Sequence, residues 1–395
     1  MLKQQYDASA FLSVIKKDDI RKWNLWEIID GKDTQAMMLA SKLKKNNYSI
    51  SGLKITSHKN KKVYLPAEVQ DYLALKLADR YLRRIYKVVQ SDRGKIIRQI
   101  RAILEDGGDF TLIRADIKSF YETVDFNHCI EKIKRDMILS AQGVLLLSSL
   151  RDNYFKISTC NTGLPRGIGV SATLAELCLR SLDDILTAHQ DVVFYARYVD
   201  DIFLISDKNK IDSVKTLLEE KVEMMGFNLN KSKQYDHDTS DNCSFDYLGY
   251  HFEVKTKISK DGKKERSLTI NIAPEKVRKV KQRIYKSFLA YKKTNNFKLL
   301  LNRLSYLSCN KTIKKTENGS LMAGNAYNYR YVTDPACFKV FDGFIINIVQ
   351  NFSFSPRQES KIMLVSFYRA FVNKMVAGFT RRQICSIKKV WDIGN

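Results

Sequence analysis

Asp200 and Asp201 stand side by side between two apolar, strand-like runs, Phe194-Tyr195-Ala196-Arg197-Tyr198-Val199 and Ile202-Phe203-Leu204-Ile205. Burying two adjacent carboxylates without a partner costs on the order of several kcal/mol, so the pair fits a turn that grips a metal ion. Upstream, Asp116 closes a similar run, Thr111-Leu112-Ile113-Arg114-Ala115, and three carboxylates on neighbouring strand ends can hold two divalent cations. Hard cations take oxygen ligands, which is why Asp rather than His or Cys suits the position. Two magnesium ions roughly 3.5–4 Å apart can activate an attacking hydroxyl and stabilise a leaving pyrophosphate, which is the chemistry of nucleotidyl transfer. Adjacency alone carries no such signal. Asp183-Asp184 falls on a predicted helix and is expected to be a solvated face.

The composition points to a polyanionic partner. In 395 residues, 67 Lys and Arg stand against 43 Asp and Glu, a formal charge of +24 that favours nucleic acid. No apolar stretch reaches the roughly 18–20 residues of a spanning helix, so no membrane role is expected. The first residues show no apolar core of a leader peptide, and the expected location is the cytoplasm. Seven scattered cysteines fit neither a zinc cluster nor a disulfide framework and read as reduced thiols. His128 and His251 have no companion ligands and receive no role.

The elements that must position the carboxylates form an α+β pattern. The first hundred residues read as helical and basic, with the cationic run at 42–45, a turn-like 58–62 and a long amphipathic helix over 69–89. Between about 103 and 254, short strands alternate with helices: a strand ending at Asp116, helices over 126–138 and 171–188, a hairpin at 193–206 and a helix over 211–225. From Pro274 onward the reading is helical again. Residues 274–315 hold 13 Lys or Arg against one acid, Glu275, and a helical pair is expected over 334–391.

Three ordered motifs carry a family resemblance: Asp116-Ile117-Lys118-Ser119-Phe120-Tyr121, Gly163-Leu164-Pro165-Arg166-Gly167 followed by Ser171, and Tyr198-Val199-Asp200-Asp201. They resemble the palm motifs of reverse transcriptases. Gly226 to Lys233 resembles that family's lysine-bearing loop, and Tyr247-Leu248-Gly249-Tyr250 its primer-grip hairpin. The resemblance implies a right-hand polymerase with helical basic fingers (1–101), an antiparallel-sheet palm covered by helices (102–254), a helical thumb (255–330) and a helical extension (331–395).

By the same resemblance Asp116, Asp200 and Asp201, with the Ile117 carbonyl, hold two Mg²⁺ ions, Mn²⁺ being the alternative. Tyr121 packs against the sugar of the incoming nucleotide and excludes a 2′-hydroxyl; on the residues alone it reads rather as an ordinary core aromatic. Gly167 lets the backbone approach the templating pair, Tyr198 borders the site, and Ser171 is expected to cap the next helix. Arg166 replaces the family's commoner glutamine. It suits a phosphate or base edge, or pairs with a carboxylate such as Glu176. Arg93, Lys95 and Arg98 are candidates for the triphosphate, Arg98 equally for a solvated helix face. Lys233 is a candidate acid for the pyrophosphate or an ordinary exposed lysine. Tyr285, Phe288, Tyr291 and Phe297, interleaved with cations, are expected to pack helices rather than stack on bases.

The expected activity is RNA-directed DNA polymerisation from deoxynucleoside triphosphates on an RNA template, with a DNA product. No carboxylate set suggests an accompanying nuclease. The chain lacks the alanine before the Asp pair and the Val-Thr-Gly signature of retron enzymes, and so resembles the defence-associated, abortive-infection-like bacterial enzymes. These often work with a noncoding RNA or a companion protein, or as oligomers. Untemplated or repetitive DNA synthesis, a retron or mobile-element reverse transcriptase, and an idle RNA-binding scaffold are the competing readings.

Overall fold

The computed structural model describes residues 3–23, 40–41, 48–58, 61–240, 242–258, 264–316 and 319–392. The cationic run at 42–45 lies outside them. The chain divides into two compact units, 1–92 with 110–236 and 93–109 with 237–395.

The first unit is built on a four-stranded antiparallel sheet in the order β4-β5-β3-β6. Its strands are β3 (Phe110–Asp116), β4 (Val192–Tyr198), β5 (Asp201–Asp207) and β6 (Tyr235–Asp238), of which Tyr235 and Asp236 belong to this unit. Alternation along β3 and β5 separates two faces. Ile113 and Ala115 with Ile202 and Leu204 join the hydrophobic core beneath the helices. Leu112, Arg114 and Asp116 with Asp201, Phe203 and Ile205 lie on the other face.

The helix Val69–Ile85 buries Ala74, Leu77, Ala78, Tyr81 and Leu82, a stripe at i, i+3, i+4 spacing that fits one core-facing side. It stops short of the expected residue 89. Lys87 turns into the left-handed region and the Val88 amide donates back to the Arg83 carbonyl, closing the end in the Schellman manner. The expected helix over 171–188 is two, Gly169–Cys178 and Arg180–Ala188, broken at Leu179. Ser171 is not its cap: Ile168 holds that position, and the Ser171 hydroxyl donates to the Pro165 carbonyl at 2.7 Å. The region read as mostly helical also contains a hairpin, β1 (Leu53–His58) and β2 (Lys61–Pro66), across the stretch expected to be a turn.

The second unit holds the sheet β7-β8-β9, made of Cys243–Tyr247, Tyr250–Ile258 and Lys264–Ile272. Leu248 and Gly249 both have positive φ, the two-residue turn that matches strand twist. The helix Arg93–Asp106 packs in this unit through Ile96, Ile97, Ile100 and Leu104. The basic helix Pro274–Thr294 starts on a proline, and Phe297–Ser308 follows it. The expected closing pair is instead four helices, Lys339–Val349, Pro356–Met363, Phe367–Val372 and Arg381–Asp392. Among the described residues no helix is long and apolar enough to cross a membrane.

Candidate active site

Strand register brings the expected carboxylates together. Asp116 is directly opposite Asp201 in the β3–β5 pair, so both side chains leave the same sheet face. The Ile117 amide donates to the Asp200 carbonyl at 3.1 Å, which places the third acid beside them. The loop after the helix Ile211–Met224 completes the floor. Ile117 bridges Leu229, the Asn230 amide donates to the Asp116 carbonyl at 2.7 Å, and the Lys118 amide to Asn228 at 2.8 Å. That bridge uses the carbonyl of Asp116 and the amide of Lys118, leaving the Ile117 carbonyl outside it.

The side chains do not close into a three-carboxylate set: among the described residues no group of three His, Cys, Asp or Glu is arranged to hold a metal. Arg114 engages one of the three acids. Its Nε and Nη2 donate to Oδ1 and Oδ2 of Asp201 at 2.8 and 2.9 Å, and Nη1 reaches the Tyr235 hydroxyl at 3.1 Å. Burial works against the guanidinium charge, but the bond and charge of Asp201 outweigh it and hold its pKa above the usual arginine value. The donor chemistry, oxygen ligands on adjacent strand ends, still suits a hard divalent cation. Arg114 escaped the sequence reading, although a cation two residues before an acid on one strand shares its face.

The turn between β4 and β5 is strained. Tyr198 opposes Asp201, so Val199 and Asp200 are its two central residues, and Val199 sits at φ +64°. A β-branched residue is rarely found there. The Arg197 Nη1 donates to the Val199 carbonyl at 2.8 Å, while its Nε and Nη2 fork onto Asp183 at 2.7 and 2.6 Å and Nη2 also reaches Glu176 at 2.8 Å. The Tyr195 hydroxyl donates to Asp183 as well, at 2.6 Å. Asp183 is therefore a partner of a buried arginine and not the solvated face expected for it. Desolvation alone would lower the Arg197 pKa; Asp183 and Glu176 raise it.

Tyr121 lies on the short helix Phe120–Thr123 and is half-buried, its ring edge-on to Phe120. Burial raises its pKa, and the nearby Arg166 partly opposes that. Arg166 pairs with Glu122, at 2.8 and 2.9 Å, and not with Glu176, which Arg197 occupies. Gly167 stands at φ +96°, and a Cβ there would come within 2.5 Å of Val63 Cγ1 and 2.9 Å of the Tyr64 carbonyl oxygen. The loop thus lies against β2, whose Tyr64 amide donates to the Arg166 carbonyl at 2.7 Å. Gly167→Ala is expected to destabilise the protein by about 1–3 kcal/mol, read as a lowered thermal midpoint, because both φ and the backbone contact oppose a side chain.

Arg93 is held within the second unit: its Nε donates to the Leu248 carbonyl at 2.7 Å, Nη1 to the Asn328 carbonyl at 3.1 Å, and its guanidinium lies 4.9 Å from the Tyr250 ring centroid. This is a structural clamp on the β7–β8 turn. Lys95 and Arg98 are exposed on the same helix. Tyr198 is 37 % exposed beside Asp201. The Lys233 backbone lies in a short 3₁₀ turn, and its side chain is outside the described part. Phe288 and Tyr291 are buried and Phe297 packs on Tyr291, as core packing requires, whereas Tyr285 is exposed.

Residues 15–252 match the family described as reverse transcriptase (RNA-dependent DNA polymerase). A search of curated proteins finds no match. Among solved structures the chain is similar to the telomerase of Candida albicans in complex with a fragment of telomeric RNA, at 14 % identity over 88 % of this chain and 64 % of that one, with a TM-score of 0.39. It is also similar to the apo telomerase of Candida tropicalis, at 12 % identity over 86 % and 64 %, TM-score 0.41. A form of that enzyme truncated from its C-terminal domain matches at 12 % identity over 55 % and 54 %, TM-score 0.37. The chain therefore spans roughly half to two thirds of the length of these structures.

Proposed function

Because the chain belongs to the reverse transcriptase (RNA-dependent DNA polymerase) family, we propose that it copies an RNA template into DNA from deoxynucleoside triphosphates. The observation that carries this reading is the β3–β5 register, which sets Asp116 opposite Asp201 with Asp200 bonded through its carbonyl to Ile117. Residues 1–101, 102–254 and 255–330 act as fingers, palm and thumb, followed by the helical extension. Asp116, Asp200, Asp201 and the Ile117 carbonyl would hold divalent magnesium, which when bound supplies charge stabilisation at the transferring phosphate. Tyr121 and Gly167 contact the incoming nucleotide and the templating pair, and the net charge of +24 holds the nucleic acid.

Purified chain, given an RNA strand with an annealed DNA primer, labelled deoxynucleotides and Mg²⁺, is expected to extend the primer to the template end. Extension without the RNA strand indicates untemplated synthesis. Binding without any incorporation indicates an RNA-binding scaffold, and either result overturns the proposal.

The biological setting we propose is antiviral defence by a cytoplasmic enzyme working on a dedicated noncoding RNA, alone, as an oligomer or with a companion protein. Val199 before the Asp pair, where retron enzymes keep alanine, supports this lineage. Cells expressing the chain should lower phage plaque counts at least tenfold relative to cells expressing Asp200→Asn, and equal counts would refute the defence role.

A further inference from the structure

Arg166 stands where the family more commonly has glutamine, and the structure gives this cation an unusual set of neighbours. Two of its N–H groups fork onto the two oxygens of Glu122. The guanidinium carbon lies over the Tyr121 ring, 4.7 Å from its centroid. Glu122 and Tyr121 are consecutive on one helical turn, so a single arginine grips that turn through an ion pair and a ring face at once.

The backbone around the grip is fixed. The Arg166 carbonyl accepts from the Tyr64 amide, the Leu164 amide donates to the Tyr121 carbonyl at 2.7 Å, and the Gly163 amide to the Val124 carbonyl at 2.8 Å. The Thr162 hydroxyl donates to the Glu122 carbonyl at 3.3 Å.

A glutamine can hydrogen-bond here but cannot fork a carboxylate and stack on a ring with one rigid plane, and a lysine offers a point charge without the plane. We propose that Arg166, braced by Glu122, is a positioning residue that fixes the Tyr121 ring and so sets how strictly the enzyme selects deoxyribose over ribose. This rests on the reading of Tyr121 as the residue that meets the nucleotide sugar. Arg166 then acts through the tyrosine. A direct role on phosphate would give the opposite outcome when Glu122 is removed, since the cation would be released towards the anion.

The test measures kcat/KM for a deoxynucleoside and the matching ribonucleoside triphosphate in the full chain, for wild type, Arg166→Gln, Arg166→Lys, Glu122→Gln, Tyr121→Ala and the double variant Arg166→Gln with Tyr121→Ala, after thermal unfolding has identified the folded variants. The ratio of the two constants is expected to fall about tenfold in both Arg166 variants and in Glu122→Gln, with lysine giving no rescue. In the Tyr121→Ala background Arg166→Gln should add nothing. A ratio unchanged by Arg166→Gln while Tyr121→Ala relaxes it overturns the positioning role alone. A ratio unchanged by Tyr121→Ala overturns the gate reading and the positioning role with it. A tighter KM for both nucleotides in Glu122→Gln, at constant ratio, assigns Arg166 to phosphate instead.

Discussion

Asp116→Asn is expected to lower deoxynucleotide incorporation by about a hundredfold or more while leaving the fold as stable as before, or slightly more so. The loss follows from the charge. If Asp116 holds a cation at the transferring phosphate, an amide of the same volume keeps one oxygen and removes the anion, and loss of even one preorganised hydrogen-bond donor at a charge-developing centre costs on the order of 10²–10³ in rate, which sets the scale for loss of a cation ligand. The gain in stability follows from the register, because Asp116 faces Asp201 directly across the β3–β5 pair and like charges directly opposite each other destabilise a sheet by roughly 0.2–1 kcal/mol. Arg114 relieves part of that repulsion by forking onto Asp201, so a few tenths of a kcal/mol is the expected scale.

Opposite signs in the two measurements separate a functional acid from a structural one. Primer extension and thermal unfolding on the same preparation supply both. An Asn variant that unfolds several degrees earlier, or that extends primer at the wild-type rate, refutes the assignment of Asp116.

Much of the site was legible because its signals are local. Apolar runs ending in Asp116 and flanking Asp200 and Asp201 predict strands with acids at their ends, and the structure pairs those strands in register. The hairpin at Leu248-Gly249 was legible only through the family resemblance of Tyr247-Leu248-Gly249-Tyr250, and its two positive φ angles form the turn. What stayed hidden is the partner of each cation. Arg114 finds its carboxylate 87 positions ahead, Arg166 44 positions back and Arg197 14 positions back, and no spacing rule reveals such pairs. Arg166 was read as a partner for Glu176, and the folded chain gives Glu176 to Arg197 instead. The β1–β2 hairpin was missed because its exposed lysines and threonines mask strand alternation: only Leu53, Tyr64 and Pro66 in it are buried.

Arg197→Met is expected to cost about 3–5 kcal/mol, enough to unfold many domains. Arg197 is 6 % exposed, and its guanidinium makes four hydrogen bonds to three partners: Asp183, Glu176 and the Val199 carbonyl. Methionine fills similar volume but leaves two carboxylates partly buried with their cation removed, and removal of one partner is the expensive way to break a buried ion pair. The strained Val199 turn also loses its brace, so the Asp200 backbone is freed in any variant that folds. Adding Asp183→Asn to Arg197→Met should therefore recover part of the stability, since the uncompensated charge is gone, yet leave primer extension low because the turn stays unbraced. Chemical denaturation of the single and double variants reads the first effect, and extension at a temperature where both are folded reads the second. Full recovery of extension in the double variant would show that Arg197 serves only to neutralise Asp183 and has no part in holding the turn.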